Sequence, residues 1–82
     1  MTNPIKRYSH DPKADAVYIT LSTKAVAYTK SLDDTRIIDY DAHNNPIGIE
    51  LLCVSNGVIT DDLPLAAEVA QLLENKHIKI YA

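Results

Sequence analysis

Asp39, Asp41 and His43 occupy alternate positions, and their side chains are the first in this chain that could do chemistry together. In an extended strand, alternate residues point the same way, roughly 6.5–7 Å apart per step. Carboxylate oxygens and an imidazole in such a row could hold a divalent cation, with Glu50 joining from a neighbouring strand. The competing reading is a solvated strand face that runs into an Asn-rich turn, with His43 inside the turn. A second set, Asp15, Tyr18, Asp39 and Glu50, could do acid–base work if one carboxyl were held protonated. Against this, Asp15 suits the turn after Pro12, and Tyr18 suits a hydrogen bond to a carboxylate across a sheet. A flat sheet face also offers no obvious water-excluding pocket. The residues therefore assign no catalytic group, no metal ligand and no cofactor. Asp15, Tyr18, Asp39, Asp41 and Glu50 stand as a polar cluster, and a carboxylate-based metal or hydrolytic protein on Asp39, Asp41 and Glu50 is the alternative function.

Other chemistries have less support. Cys53 has no nucleophile signature around it and, by alternation, shares the face of Ile49 and Leu51, which predicts a small buried hydrophobe. His10, His43 and His77 have no metal-like spacing to it, and His77 suits the negative end of a helix. The two glycines, Gly48 and Gly57, form no phosphate loop. Lys6, Arg7, Lys13, Lys24, Lys30 and Arg36 make the first 36 residues the more basic part of the chain. With no helix-turn-helix pattern and no aromatic RNA platform, the sequence still argues against nucleic acid as a partner.

These residues sit on elements that the hydrophobic pattern predicts. Ile5 to Ser9 reads as a strand, followed by a turn over Asp11 to Asp15. From Ala16 to Leu21 the period is two, with Val17, Ile19 and Leu21 on one face and Tyr18, Thr20 and Ser22 on the other. Ser22 to Ala25 reads as a hairpin loop, with Val26 and Tyr28 continuing an apolar face beyond it. Ser31 to Thr35 turns again. Arg36 to Asp41 and Ile47 to Val54 read as strands joined by the turn His43-Asn44-Asn45-Pro46. Pairing Asp41 with Pro46 sets Tyr40 opposite Ile47, Ile38 opposite Ile49, Asp39 opposite Gly48 and Ile37 opposite Glu50. A slip by one residue would mix the apolar and acidic faces. Asp61-Asp62-Leu63-Pro64 reads as a helix start, and Leu65, Ala66, Val69, Leu72 and Leu73 form the stripe of a helix over about 62–75. Asn75 supplies the left-handed cap, and residues 78–81 alternate like a terminal strand. The whole is one α+β domain: an antiparallel β-meander of about five strands over 5–54, a C-terminal helix on one face and a short terminal strand.

Composition sets the limits. The chain has 82 residues, 46% hydrophobic and 23% charged, with a formal net charge of −3, which excludes a disordered tail and a non-specific DNA coat. It has one Cys, so no internal disulfide framework forms. There is no Trp and no Phe, so Ile, Leu, Val and five Tyr must build the core. A domain of this size buries only about 60–65% of its unfolded surface, and self-association is a common remedy. No stretch approaches the roughly 18 apolar residues of a membrane span, and the N-terminus lacks the centre of a signal peptide. A lone thiol fits a reducing compartment, so the expected location is a microbial cytoplasm.

Three segments carry a resemblance: Asp11-Pro12-Lys13-Ala14-Asp15-Ala16-Val17-Tyr18-Ile19-Thr20-Leu21, Ile37-Ile38-Asp39-Tyr40-Asp41 and Pro46-Ile47-Gly48-Ile49-Glu50-Leu51-Leu52. In order and spacing they resemble the small prokaryotic proteins grouped as domain of unknown function family 2283, over roughly residues 5–54. The resemblance implies a β-meander with a helix and no established activity. Some members resemble components of toxin–antitoxin-like gene pairs. Members usually carry an aromatic directly before the Asp-Pro pair, where this chain has His10, with Tyr8 two residues earlier.

One helix covers one side of a sheet. The other side is expected to carry Ile37, Leu52 and Val54 among polar groups, a half-apolar face suited to another chain. With Ile78 and Ile80 of the tail as an added strand, these residues form the candidate interface. The expected function is a small non-enzymatic interaction or regulatory module. It would act as a homo-oligomer, a dimer first, or as the antitoxin-like partner of another small protein, away from any membrane.

Overall fold

The computed structural model describes residues 4–81. Met1, Thr2, Asn3 and Ala82 lie outside the described residues, and with them the start of the apolar-poor N-terminus and the last residue of the tail. The strands are β1 (Arg7–Asp11), β2 (Ala16–Thr20), β3 (Tyr28–Ser31), β4 (Arg36–Tyr40) and β5 (Pro46–Leu52). A single 3-10 turn (Val54–Asn56), β6 (Val58–Ile59), helix α1 (Ala66–Asn75) and β7 (Ile80–Tyr81) follow. The first five strands form one antiparallel sheet, while β6 and β7 pair in parallel. The class is the expected α+β.

The strand order is β1-β2-β5-β4-β3, which refines the expected meander. Three strands joined by hairpins, β3, β4 and β5, are followed in space by β2, which is Greek-key order. Ser22 to Ala25 therefore does not close a hairpin between β2 and β3. Leu21 and Ser22 donate their N–H groups to the Ile47 carbonyl, and the Ala27 N–H bonds the Tyr40 carbonyl, so the segment crosses the ends of β5 and β4. Val26 is left 53% exposed, off any apolar face. The reason is burial: β2 carries Val17 and Ile19, and beside β5 both strands bury their apolar residues against the same helix.

Between β4 and β5 the expected register holds at Ile37–Glu50, Ile38–Ile49 and Asp39–Gly48. It then shifts by one residue, so that Tyr40, not Asp41, pairs with Pro46. The turn accounts for this bulge. Asp41 Oδ1 accepts the His43 N–H at 2.8 Å and the Asn45 N–H at 3.0 Å, and Asn44 takes a left-handed φ of 66°. Asp41 is thus drawn out of the strand into its own turn.

Val17, Ile19, Ile49, Leu51, Val54, Val58, Leu63, Val69 and Leu73 make the core between the sheet and α1. The helix begins two residues after Pro64, with Leu65 as a left-handed N-cap whose side chain makes no capping bond. Leu63, expected inside the helix start, is instead a core anchor ahead of it. At the other end the left-handed residue is His77 (φ 61°), not Asn75. The His77 N–H bonds Glu74 O and the Ile78 N–H bonds Leu73 O, the two bonds of a Schellman cap. Ile78 packs against the cluster that holds Leu73, and this apolar contact selects where the helix stops. The tail then pairs with β6 through Val58–Ile80 and Ile59–Tyr81. Tyr81 lies against Gly57, whose φ of 101° and missing Cβ admit the ring.

Candidate functional site

The sheet face opposite α1 is where the chemistry-bearing residues converge. Tyr18 from β2, Asp39 from β4 and Thr29 from β3 form one hydrogen-bonded row. The Tyr18 hydroxyl donates to Asp39 Oδ2 at 2.6 Å, and Thr29 Oγ1 donates to Asp39 Oδ1, also at 2.6 Å. Tyr18 and Asp39 are separated by β5. The phenol reaches across because the β5 residue beneath it is Gly48, where a Cβ would stand 2.6 Å from Tyr18 Cζ and closer still to its oxygen. Burial holds the Tyr18 proton, the hydrogen bond to Asp39 adds to it, and the Asp39 and Glu50 charges act in the same direction; together they push its pKa up to about 12. The row is a neutral phenol donating to a carboxylate, which is the structural role weighed for Tyr18.

Glu50 faces Tyr18 on one side and Ile37 on the other. A shallow depression of about 210 Å³ beside it is lined by Ser9, Asp11, Ala14, Ala16, Tyr18 and Glu50, so the face is less flat than alternation implies.

The remaining members of the polar cluster lie elsewhere. Asp41 is 3% exposed, and its carboxylate is occupied by the 41–45 turn, chiefly by the Asn45 N–H; these bonds lower its pKa. Asp15, at φ 55°, holds a different junction. Its oxygens accept Ser55 N–H at 3.0 Å and Ser55 Oγ–H at 2.6 Å, and its carbonyl accepts the Val54 N–H. Capping of the β1–β2 turn falls instead to Asp11, through Lys13 and Ala14. His43 is exposed in its turn. Among the described residues, no group of three or more His, Cys, Asp or Glu side chains could hold a metal ion.

Two placements correct the sequence reading. Cys53 is exposed, because the chain leaves β5 there through a left-handed φ of 54° and the strand alternation ends. That kink turns Val54 inward, so Val54 is 3% exposed in the helix-side core and does not belong to the open face. Ile37 and Leu52 are on that face, both half-buried. Ile78 and Ile80 pack against the core, and Ile80 is paired with Val58 of its own chain.

Sequence reasoning missed Thr29, Gly48, Ser55 and Arg36. The Arg36 side chain pairs with Asp33 at 2.9 Å and donates to the carbonyls of Ile59 and Asp61, tying β4 to the strand before the helix. A glycine inside an apolar strand is a signal for close approach, and it could have marked Gly48.

The fold and this face define a small α+β protein with one covered and one open sheet surface. The chain belongs to the family described as "Protein of unknown function (DUF2283)", whose profile matches residues 7–55, from β1 into the 3-10 turn. No curated protein and no solved structure matches it. Among the described residues, no helix is long and apolar enough to cross a membrane.

Proposed function

We propose that this protein is a non-enzymatic interaction module that self-associates through its open sheet face. One observation carries the reading: α1 covers one side of the sheet, and the other side leaves Ile37 and Leu52 half-exposed around Glu50 and the Tyr18–Asp39–Thr29 row. Two features support it. The Tyr18–Asp39–Thr29 row is satisfied within the chain, so a partner that covers it strands no group of the row, and a partner over Glu50 must bring a donor to that carboxylate. The depression beside Tyr18 and Glu50 offers a seat for one partner side chain. A second copy is the occupant favoured by size, because so small a chain gains most from burying a half-apolar face.

Native mass spectrometry of the protein isolated gently from its source tests this. Masses at whole multiples of 9.1 kDa are expected, falling to 9.1 kDa when Ile37→Lys and Leu52→Lys are combined. A 9.1 kDa species alone overturns the proposal. A second polypeptide replaces self-assembly with the paired-regulator form, and a bound metal ion moves the reading to the carboxylates.

A further inference from the structure

A second cleft, of about 270 Å³, lies off the sheet face where β1, the 3-10 turn and the segment after α1 meet. His10, Asp15, Ser55, Lys76, His77 and Lys79 give it its polar lining. Four of these six can carry positive charge, in a chain whose net charge is −3.

Among the described residues, little in the lining cancels that charge. Asp15 is the only acid in the lining, and both of its oxygens are bonded to Ser55. Among the described residues, neither Lys76 nor Lys79 takes part in an ion pair. Lys76 Nζ rests 5.1 Å above the Tyr8 ring, and Lys79 Nζ rests 5.1 Å above the Tyr81 ring. Such contacts place an ammonium group without neutralising it. The negative end of α1 is also muted, since Leu72, Leu73 and Glu74 carbonyls are taken up by Lys76, His77 and Ile78 N–H groups. Low-dielectric walls around a mostly positive lining concentrate the field in the cleft.

We propose that this cleft is an anion site that takes the phosphoryl group of a small ligand, held by Lys76 and Lys79 with His10 and His77 at its walls. A dianion matches the two lysine charges carried by the lining, where a monocarboxylate would leave half of the charge unmatched. The volume is just below the roughly 300 Å³ at which ligand pockets begin, which sets a small ligand rather than a polymer. The site is independent of the open sheet face and of any assembly through it.

The test is an amide-shift titration of the full chain at constant ionic strength, using inorganic phosphate, a nucleoside monophosphate and acetate. Saturable shifts confined to His10, Asp15, Ser55 and residues 76–79 are expected, with acetate weaker than phosphate. A nucleoside monophosphate tighter than phosphate identifies an organic ligand, and equal affinities identify the free anion. Lys76→Gln with Lys79→Gln should weaken phosphate about tenfold, whereas the matching Arg pair keeps the charge and the binding. Lys24→Gln with Lys30→Gln, remote from the cleft, should change nothing. Linear shifts, equal responses to acetate and phosphate, or shifts spread over Lys24 and Lys30 would overturn the proposal.

Discussion

Tyr18 lies flat across Gly48 to reach Asp39, so the two positions are filled as a pair. In Gly48→Ala the new methyl group must displace the phenol, at a cost of about 1–3 kcal/mol in urea unfolding. Shortening the neighbour as well, in Tyr18→Ser with Gly48→Ala, should return part of that loss, and additive costs would sink the argument. The same contact gives a pH signature. The folded phenol holds its proton more tightly than a free one, with a pKa moved from 10.0 to about 12. Its contribution to stability is therefore complete below pH 10.0 and lost as the pH rises through about 12. An ultraviolet titration of the native protein should show Tyr18 ionising late, alongside Tyr8, whose pKa burial also raises, and Asp39→Asn should bring Tyr18 earlier.

At the scale of elements, the strands were legible because period-two alternation with β-branched residues is a local signal. The register of β4 on β5 followed from keeping carboxylates off the apolar face, and it holds at three of the expected pairs. What stayed hidden depends on contacts distant in sequence. The partner of β2 lies about thirty residues away, and local turn residues at Ser22 to Ala25 carry no trace of it. Asp15 and Ser55 meet across forty residues. The helix ends at Asn75 as expected, but the left-handed cap does not sit there: Asn75 suits that conformation by type, while Ile78 packing moves it to His77. A left-handed conformation costs a residue with a Cβ about 1–2 kcal/mol. His77→Gly should therefore raise stability by about 0.5–1 kcal/mol in thermal or urea unfolding. It should weaken phosphate binding in the cleft at the same time. A variant no more stable than the parent would mean that local contacts already relieve the strain.

For the whole molecule, two surfaces follow from one asymmetry. The helix sits on one side of the sheet, so the apolar remainder is open on the other, and the cations collect where the chain leaves the helix. The Arg36 bonds to Ile59 and Asp61 carry the sheet's position across to the small parallel pair. A radius of gyration of 12.0 Å matches the roughly 12 Å of a compact chain of this length. Under the self-association proposed above, Ile37→Lys with Leu52→Lys should separate copies while leaving the urea-unfolding midpoint of the chain in place.

The Greek-key order also sets a sequence of events in time. The hairpins of β3, β4 and β5 close short loops, whereas seating β2 against β5 closes a loop of about thirty residues and pays its entropy before any contact repays it. The transition state should then be built around β4 and β5. Truncating Ile38 to Val would slow folding, and truncating Ile19 to Val would mainly speed unfolding. Until β2 arrives, the strand that ends up third of five has one bare edge, with Ile47, Ile49 and Leu51 uncovered. The most protected strand of the native protein is thus the most adhesive one while the chain folds.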